Sequence, residues 1–207
     1  MTTWAIIPVK TLHLSKSRLA PYLSPRERAV LMRGLLNRLL QVLRKVPQVD
    51  GIVVVSRDQA VNQIVAQHDV HFVAENEGVG LNEAVNLGRS YAVAQGATAI
   101  LIMPADLPYV TLADVGALWG ETAVISQQCA IICSDRHQEG TNALLLPATV
   151  PFQFQYGLQS FQKHCREAER LHLTVQEVVI PGLQFDLDTL QDWELFKEQK
   201  LICGPVS

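Results

Sequence analysis

Apolar residues in the first 119 positions follow two alternating patterns. Short continuous apolar runs are typical of strands that are covered on both faces, as in a parallel sheet. Apolar residues spaced by three or four positions are typical of helices that pack one face on such a sheet. The runs predict strands at residues 4–9, 52–55, 70–73 and 100–103. With helices between them, this order predicts an α/β fold of the doubly wound type.

Capping residues mark where several helices begin. Ser24 and Glu27 have the spacing of a capping box, so a long amphipathic helix is predicted to follow them. Thr111 and Asp114 predict a second capping box after the fourth strand. A short helix is also predicted at residues 58–67, because its apolar residues recur at helical spacing.

The pattern changes after residue 120. Apolar runs at residues 130–133 and 143–146 are joined by a loop that is too short for a crossover helix, so these two strands are predicted to be antiparallel. The remaining predicted elements are a long loop at 147–160, a helix at 160–171, a strand at 175–180 and a terminal helix. No repeat or linker interrupts the chain, so a single domain over residues 1–207 is predicted.

The predicted strand at residues 100–103 is followed by an acid. Pro104 and Pro108 cannot continue a central strand, so Asp106 is predicted to lie in the loop at the carboxyl end of that strand. Open α/β sheets bind their ligands at this edge. A carboxylate between rigid prolines suits Mg²⁺, which prefers oxygen ligands and is commonly bound together with phosphates. The alternative is a turn acid that caps the next helix.

A segment rich in cations follows the first predicted strand. Residues 10–23 contain Lys10, His13, Lys16 and Arg18 and no acid. A position between a strand and a helix is where α/β folds usually bind phosphates. The segment has no glycine, so it is neither a P-loop nor a dinucleotide-binding fingerprint. We therefore expect side-chain cations to bind an anion here, and the alternative is a solvated surface loop.

Two glycine-containing segments are further candidates for ligand binding. Gly78 allows a ligand to approach the backbone closely, and Asn82 can both donate to and accept from a base or ribose. Ser160 lies at the start of a predicted helix with Gly157 before it, and such a start favours a carboxylate or phosphate. The alternatives are a plain turn for the first segment and an ordinary N-cap serine for the second.

Composition and charge narrow the classes of function. The formal net charge of -3 argues against a general nucleic-acid binder but permits a local anion site. The four cysteines lack metal-ligand or CxxC spacing, so we expect reduced and mostly buried thiols. The chain begins without a basic or long apolar segment, and no apolar run is long enough to span a membrane. A cytoplasmic protein is therefore predicted.

Six short segments carry a resemblance to a known family. They are Ile-Pro-Val-Lys at 7–10, Lys-Ser-Arg-Leu-Ala at 16–20, Leu-Ser-Pro-Arg-Glu-Arg at 23–28, Pro-Ala-Asp-Leu-Pro at 104–108, Gly-Thr-Asn-Ala-Leu at 140–144 and Asp-Leu-Asp-Thr at 186–189. In this order they resemble the 2-phospho-L-lactate guanylyltransferase family, some of whose members are described as phosphoenolpyruvate guanylyltransferases. The resemblance implies a role in the biosynthesis of the deazaflavin coenzyme F-420. It also implies the Rossmann-like three-layer fold of glycosyltransferase-A-like nucleotidyltransferases, with a mostly parallel sheet and an antiparallel portion in the C-terminal half.

The resemblance also implies roles for individual residues. It implies a nucleotide-binding half at 1–119 and an acceptor-binding half at 120–207. Asp106 and Asp188 would hold Mg²⁺, and whether Asp186 joins them stays open. The candidates for the GTP side are Pro8, Lys10, Lys16, Arg18, Gly78 and Asn82. The candidates for the phosphorylated three-carbon acid are Thr141, Gly157 and Ser160. Catalysis is assigned to Lys10, Lys16, Arg18, Asp106 and Asp188.

The chain departs from the family pattern at two places. Leu190 replaces the usual proline after Asp-Thr, and residues 156–161 are a variant of a Phe-Gly-Pro-Gly-Ser-Phe stretch. The second departure leaves the choice among 2-phospho-L-lactate, phosphoenolpyruvate and 3-phosphoglycerate open. Strictness for guanine and the oligomeric state, for which a homodimer is one candidate, stay open as well.

Two other functions remain as alternatives. A molybdenum-cofactor or sugar-phosphate nucleotidyltransferase would usually have a glycine-rich loop where this chain has Pro8-Val9-Lys10. A non-catalytic nucleotide-binding regulatory domain is expected to lose the metal-binding acids first. This chain retains both Asp106 and Asp188.

Overall fold

The computed structural model describes residues 1–78, 80–120 and 128–203. Its strands are Thr3–Pro8 (β1), Gly51–Ser56 (β2), His71–Ala74 (β3), Ala99–Ile102 (β4), Cys129–Ser134 (β5), Thr141–Pro147 (β6) and Thr174–Val178 (β7). Its α-helices are Pro25–Leu43 (α1), Gln59–Val65 (α2), Leu81–Ala94 (α3), Leu112–Ala117 (α4), Ser160–Arg170 (α5), Pro181–Gln184 (α6) and Leu190–Cys203 (α7). Two short 3₁₀ helices, Leu12–Leu14 and Ser17–Leu19, lie between β1 and α1.

The described strands form one sheet in the order β3-β2-β1-β4-β6-β5-β7. β1 is parallel to β2 and β4, and β2 is parallel to β3. β6 is antiparallel to both of its neighbours, β4 and β5, whereas β5 and β7 are parallel. β6 is thus the one strand of the described sheet that runs against all the others. The predicted combination of a mostly parallel sheet with an antiparallel portion in the C-terminal half is confirmed.

Helices cover both faces of the sheet. Successive residues of β1 point to opposite faces, because Ile7 belongs to one buried cluster and Ile6 to the other. The Ile7 cluster includes Leu36 of α1 together with apolar residues of α2 and α4. The Ile6 cluster includes Val85 of α3 and Phe161 of α5. The result is a three-layer α/β/α arrangement, as the resemblance implies.

Both predicted capping boxes are present. Glu27 N donates to Ser24 Oγ at 3.3 Å, and Ser24 N donates to Glu27 Oε2 at 2.8 Å. Thr111 and Asp114 exchange the corresponding bonds at 3.2 and 2.9 Å. These bonds satisfy backbone N–H groups that have no partner within the helix, and thereby fix where α1 and α4 begin.

The start of β6 and the end of β7 are two of the places where the second half of the chain differs from the sequence prediction. β6 begins at Thr141, so Thr141 belongs to the strand and not to the preceding loop. The Asp135 carboxylate causes this shift, because it accepts three backbone N–H groups of the turn and thereby closes it early. β7 ends at Val178, short of the predicted end at 180. Pro181 cannot donate to a strand ladder, and it begins α6 instead.

The cysteines are free where the structure describes them, but they are less buried than predicted. Cys133 is buried, whereas Cys129 and Cys165 are only partly buried, so the prediction is wrong for these two residues. Both lie beside the edge strand β7, where the sheet has no further strand to cover them. The side chain of Cys203 lies outside the described residues. None of the described helices has the length and apolar character that crossing a membrane requires.

Candidate active site

A cavity of about 540 Å³ opens where β1 and β4 end. Parallel strands present their carboxyl ends at one edge of the sheet, which is the usual ligand-binding edge of open α/β sheets. Because β6 runs in the opposite direction, its first residue lies at the same edge. The cavity therefore has walls from both halves of the chain. The predicted site residues that line it are Pro8, Lys10, Lys16, Arg18, Asp106, Thr141, Gly157, Ser160 and Asp188.

Lys16 joins the two acids that were predicted to bind metal. Its Nζ donates to Asp188 Oδ1 at 2.5 Å and also to Asp106 Oδ2. The lysine side chain is only 4% exposed, and its backbone has φ 55°, an uncommon conformation for a residue with a side chain. One ammonium group contacts both carboxylates, so the two acids lie close enough to share a single cation. Asp106 Oδ1 is buried and has no hydrogen-bond partner among the described residues.

Burial and charge oppose each other in this cluster. Burial alone would lower the pKa of Lys16, but the Asp106 and Asp188 carboxylates outweigh burial and raise that pKa. Burial would raise the pKa of Asp188, and the charge of Lys16 instead holds it below its usual value. For Asp186, burial and then the charges of Asp106 and Asp188 raise the pKa to about 6. Asp186 therefore ionises less readily than Asp188, which leaves Asp188 as the better cation ligand of these two.

Backbone hydrogen bonds hold Asp188 in place. Its N–H and that of Thr189 donate to Asp192 Oδ2 at 2.9 and 2.6 Å. Asp192 is buried and is paired through its other oxygen with Arg136. Leu187 N also donates to the carbonyl oxygen of Asp106 at 3.2 Å, which ties the two acid-bearing loops together. The sequence interpretation missed Asp192, although its position three residues after Thr189 is a capping-box spacing that could have revealed it.

The cation-rich segment is shaped by Arg28, which the sequence interpretation also missed. Arg28 is buried, and its guanidinium donates to the carbonyl oxygens of His13, Ser15 and Leu23 at 2.9, 3.1 and 2.7 Å. Three carbonyls held by one planar group fix the path of the segment. Arg18, in contrast, is 74% exposed, with its Nη1 3.9 Å from Asp188. Arg28 thus serves the fold of the segment, and the exposed Lys10 and Arg18 are left available to a ligand.

The opposite end of the cavity, called the neutral end below, presents the uncharged groups of Thr141, Gly157 and Ser160. Thr141 and Ser160 are both buried there, and Gly157 adopts φ 122°. Asp135 and Glu139 also line the cavity, and the Asp135 carboxylate is occupied by three backbone N–H groups of the turn before β6.

Ser160 is the first residue of α5 and not its N-cap, so the predicted capping role is wrong. Gln159 occupies the cap position with φ 55° and no side-chain cap bond. The reason is that Ser160 N already donates to the carbonyl of Gly157 at 3.1 Å, which closes the turn before the helix.

Gly78 and Asn82 do not line the cavity. Asn82 Oδ1 accepts a hydrogen bond from Tyr156 N at 2.7 Å, so this side chain connects α3 to the segment before α5. Gly78 has φ 83°, a conformation that glycine adopts without strain. Their predicted contacts with the nucleotide stay predictions. The geometry adds a role for Asn82 in linking the two halves of the site.

Comparison with known sequences identifies related proteins over nearly the whole chain. Residues 3–195 match the family model described as "Guanylyl transferase CofC like". A phosphoenolpyruvate guanylyltransferase from Sphaerobacter thermophilus is 38% identical over 94% of this chain and 92% of its own length. Another phosphoenolpyruvate guanylyltransferase, from Rubrobacter xylanophilus, is 39% identical over 93% of this chain and 92% of its own length. A 3-phospho-D-glycerate guanylyltransferase from Colwellia psychrerythraea is 27% identical over 100% of this chain and 95% of its own length.

Solved structures with the same fold are nucleotidyltransferases of low sequence identity. A nucleotidyl transferase from Methanothermobacter is 16% identical, with a TM-score of 0.72 over 98% of this chain and 99% of its own. A 4-diphosphocytidyl-2C-methyl-D-erythritol synthase is 15% identical, with a TM-score of 0.66 over 95% of this chain and 98% of its own. At these identities the likeness establishes the glycosyltransferase-A-like fold alone.

Proposed function

Because this chain belongs to the family of CofC-like guanylyltransferases, we propose that it joins GMP from GTP to phosphoenolpyruvate and releases pyrophosphate. The observation that carries the proposal is one cavity that brings Lys10, Lys16, Arg18 and the two carboxylates Asp106 and Asp188 together with the uncharged hydrogen-bonding groups of Thr141 and Ser160. A triphosphate fits the first set of residues, called the charged end below, and a small phosphorylated acid fits the neutral end. The family implies that the product serves the biosynthesis of coenzyme F-420.

The reaction needs no covalent nucleophile from the protein. A phosphate oxygen of the acid attacks the α-phosphorus of GTP, and the bond from that phosphorus to the bridging oxygen of the β-phosphate breaks. The bond electrons leave with pyrophosphate. Two anions must be brought together, so the enzyme is expected to act by positioning them and by offsetting their charge. Lys10, Lys16 and Arg18 supply positive charge along the wall that would receive the triphosphate.

Asp106 and Asp188 are suited to hold Mg²⁺. In this structure both carboxylates contact the ammonium group of Lys16, and Oδ1 of Asp106, which has no hydrogen-bond partner among the described residues, offers a further oxygen. The described residues contain no cluster of three or more metal-ligating side chains. Such a cluster is unnecessary, because Mg²⁺ commonly takes one or two carboxylates and completes its shell with water and substrate phosphates. When bound, the metal ion would neutralise part of the phosphate charge.

The choice of phosphoenolpyruvate is supported by the relatives. The two relatives at 38 and 39% identity carry that substrate in their names, whereas the 3-phospho-D-glycerate enzyme is 27% identical. The three candidate acids share a phosphate and a carboxylate on a three-carbon chain. Phosphoenolpyruvate and 2-phospho-L-lactate both carry the phosphate on C2 and differ in the C2–C3 double bond, whereas 3-phospho-D-glycerate carries it on C3 and has a hydroxyl on C2. The neutral end of the cavity therefore has to distinguish the position of the phosphate and the shape of the carbon chain.

The test is a panel of acids with GTP and Mg²⁺. Phosphoenolpyruvate, 2-phospho-L-lactate and 3-phospho-D-glycerate are each supplied, and pyrophosphate release and product mass are followed. We expect the highest kcat/KM with phosphoenolpyruvate, and lower values when ATP or CTP replaces GTP. A higher kcat/KM with another acid would overturn the choice of acceptor. Absence of pyrophosphate with all three acids would overturn the proposed transferase activity.

A further inference from the structure

His164 of α5 is fully buried behind the neutral end of the cavity. Its Nδ1 lies 2.9 Å from Thr141 Oγ1, and its Nε2 lies 3.0 Å from the backbone nitrogen of Gln155. The ring of Tyr156 packs against it edge-on, with centroids 4.7 Å apart. The ring of Phe152 is also adjacent, with centroids 5.7 Å apart, so the imidazole is held at both nitrogens and by two neighbouring rings.

The partner atoms assign the tautomer of this imidazole. A backbone N–H can only donate, so Nε2 must accept from Gln155 and cannot carry a proton. Burial lowers the pKa of His164 to about 4, so near neutral pH the ring is uncharged and bears a single N–H. That N–H is on Nδ1 and donates to Thr141 Oγ1.

The hydroxyl of Thr141 is constrained in turn. Since its oxygen accepts from His164, its own proton must be donated elsewhere. In the part of the chain that the structure describes, no protein acceptor receives that proton. Thr141 lines the cavity, so an acceptor atom of a bound molecule can take this position.

We propose that His164 is a positioning residue that fixes the Thr141 hydroxyl as a hydrogen-bond donor to an anionic group of the phosphorylated acid. The proposal rests on the proposed function, because it assigns the neutral end of the cavity to the acid. A hydroxyl that can rotate both donates and accepts, whereas one held by His164 offers its proton alone. A donor held in this way can bond a carboxylate or phosphate oxygen of a ligand, but it cannot bond a ligand group that itself only donates.

The surroundings of His164 keep its ring neutral and fixed. Glu167 is paired with Arg170 at 2.7 Å and accepts from Gln153 N at 2.9 Å, so its carboxylate is already satisfied. Burial is the main cause of the lowered pKa of His164; the charge of Glu167 acts against it, and Lys163, the preceding residue, acts with it. The site thus presents the Thr141 hydroxyl as a donor, while the His164 ring adds no positive charge beside the acid.

Two substitutions of His164 separate its two hydrogen bonds. His164→Asn places an amide near the former Nδ1 and can still donate to Thr141. His164→Gln extends to the former Nε2 and can still accept from Gln155, but it loses the donor to Thr141. We expect His164→Gln to raise the KM for phosphoenolpyruvate about tenfold, with the KM for GTP and kcat little changed. His164→Asn should keep the KM for the acid closer to the wild-type value.

A double-mutant cycle with Thr141→Val tests whether His164 acts through that hydroxyl. In the Thr141→Val background, His164→Gln should cause no further increase in the KM for the acid. The matched control is His172→Gln, the same change at an exposed histidine just beyond α5. Melting temperatures and direct binding of phosphoenolpyruvate to each variant are measured alongside the kinetics.

The outcomes distinguish this inference from the proposed function. If wild-type protein releases no pyrophosphate with any of the three acids, the proposed function fails. If wild-type protein is active and His164→Gln leaves the KM for the acid unchanged, the positioning role is overturned. Equal losses in His164→Asn and His164→Gln, or additive losses with Thr141→Val, would also overturn it, because a purely structural role predicts them.

Discussion

The two ends of the cavity are stabilised by different forces. At the charged end, Lys16 lies between Asp106 and Asp188, and the structure there depends on the attraction between opposite charges. At the neutral end, Thr141 and His164 are held by hydrogen bonds between uncharged groups. The two ends also differ in exposure, because Thr141 and His164 are buried whereas the Asp106 and Asp188 side chains are 20% and 41% exposed.

This difference indicates how each end can respond to a ligand. An ion pair can exchange partners, because another cation can replace Lys16 at the carboxylates and Lys16 can then meet a phosphate. In the neutral network, both ring nitrogens of His164 already have a partner. Rearranging it would leave a buried polar group unpaired, which costs about 1–3 kcal/mol. We therefore expect the charged end to adapt when its ligands bind and the neutral end to be ready beforehand.

The largest expected effect comes from removing one acid at the charged end. Asp106→Asn and Asp188→Asn should each lower kcat by at least about a thousandfold, because each removes a charged oxygen ligand that offsets phosphate charge. The measurement is pyrophosphate release at saturating Mg²⁺. Asp69→Asn, at an exposed position, is the control and should retain normal activity. Near-normal rates in both site variants would contradict the assignment of these acids.

The next largest effect is expected at the neutral end, where substitutions should change the KM for the acid and not the KM for GTP. Thr141→Val should raise the KM for the acid about 10- to 100-fold, because a hydrogen bond to a charged group contributes about 1.5–3 kcal/mol. The KM for GTP should change little, and Thr141→Ser should retain most of the affinity for the acid. Ser160→Ala should also raise the KM for the acid. Its melting temperature should stay close to that of wild type, since Ser160 is not the helix cap.

Steady-state kinetics with each substrate varied in turn decide this point. A rise in the KM for GTP with an unchanged KM for the acid would mean that the two ends had been assigned the wrong way round.

The pH dependence of stability provides a third test. His164 has a pKa of about 4 in the folded protein and about 6.5 when unfolded, so the unfolded chain binds more protons between these values. Stability should therefore fall as the pH decreases through this window. Asp186, with its pKa raised to about 6, acts in the opposite direction, because the folded state then binds more protons. The informative quantity is thus the difference between a His164 variant and wild type.

Chemical unfolding at several pH values gives that difference. Between pH 6.5 and 5, His164→Gln should lose about 1–2 kcal/mol less of its free energy of unfolding than wild type. His172→Gln, at an exposed position, should follow the wild-type curve. A curve for His164→Gln that stays parallel to wild type would mean that the ring is not held neutral by the fold.

The parallel part of the sheet was predictable because local pattern determines it. The apolar runs at β1, β2 and β4 lie within a residue of the observed strands, and the cap residues mark α1 and α4 correctly. At the charged end, the family resemblance and not the local pattern implied that Asp106 and Asp188 lie together, and they do. Their shared contact with Lys16 could not be predicted, because it depends on a backbone conformation that lysine seldom adopts.

The neutral end was harder to predict because its determinants are remote in sequence. His164 reaches Thr141 across 23 positions, and Asn82 reaches Tyr156 across 74. Periodicity carries no information about such pairs. A histidine within an amphipathic helix has the pattern of an ordinary helical residue, and only the arrangement of α5 against β6 reveals its partner.

The last prediction tests whether the charged end exchanges cations. Lys16 and Mg²⁺ would use the same two carboxylates, so removing the ammonium group should make the site more attractive to the metal ion. Lys16→Met keeps an unbranched apolar side chain of similar length without the charge. We expect it to bind Mg²⁺ about tenfold more tightly in the absence of nucleotide, a difference of about 1.4 kcal/mol. Calorimetric titration of the nucleotide-free protein measures this affinity independently of turnover.

Arg18→Met is the matched control for that titration. Arg18 is 74% exposed and its Nη1 lies 3.9 Å from Asp188, so solvent already screens its charge and its removal should change Mg²⁺ affinity far less. Lys16→Met should also weaken GTP binding, because the ammonium group that could meet the phosphates is gone. Tighter Mg²⁺ binding combined with weaker GTP binding is the specific signature of a lysine that alternates between the carboxylates and the phosphates. Unchanged Mg²⁺ affinity in Lys16→Met would show that Lys16 and the metal ion do not compete, and the charged end would then be as fixed as the neutral one.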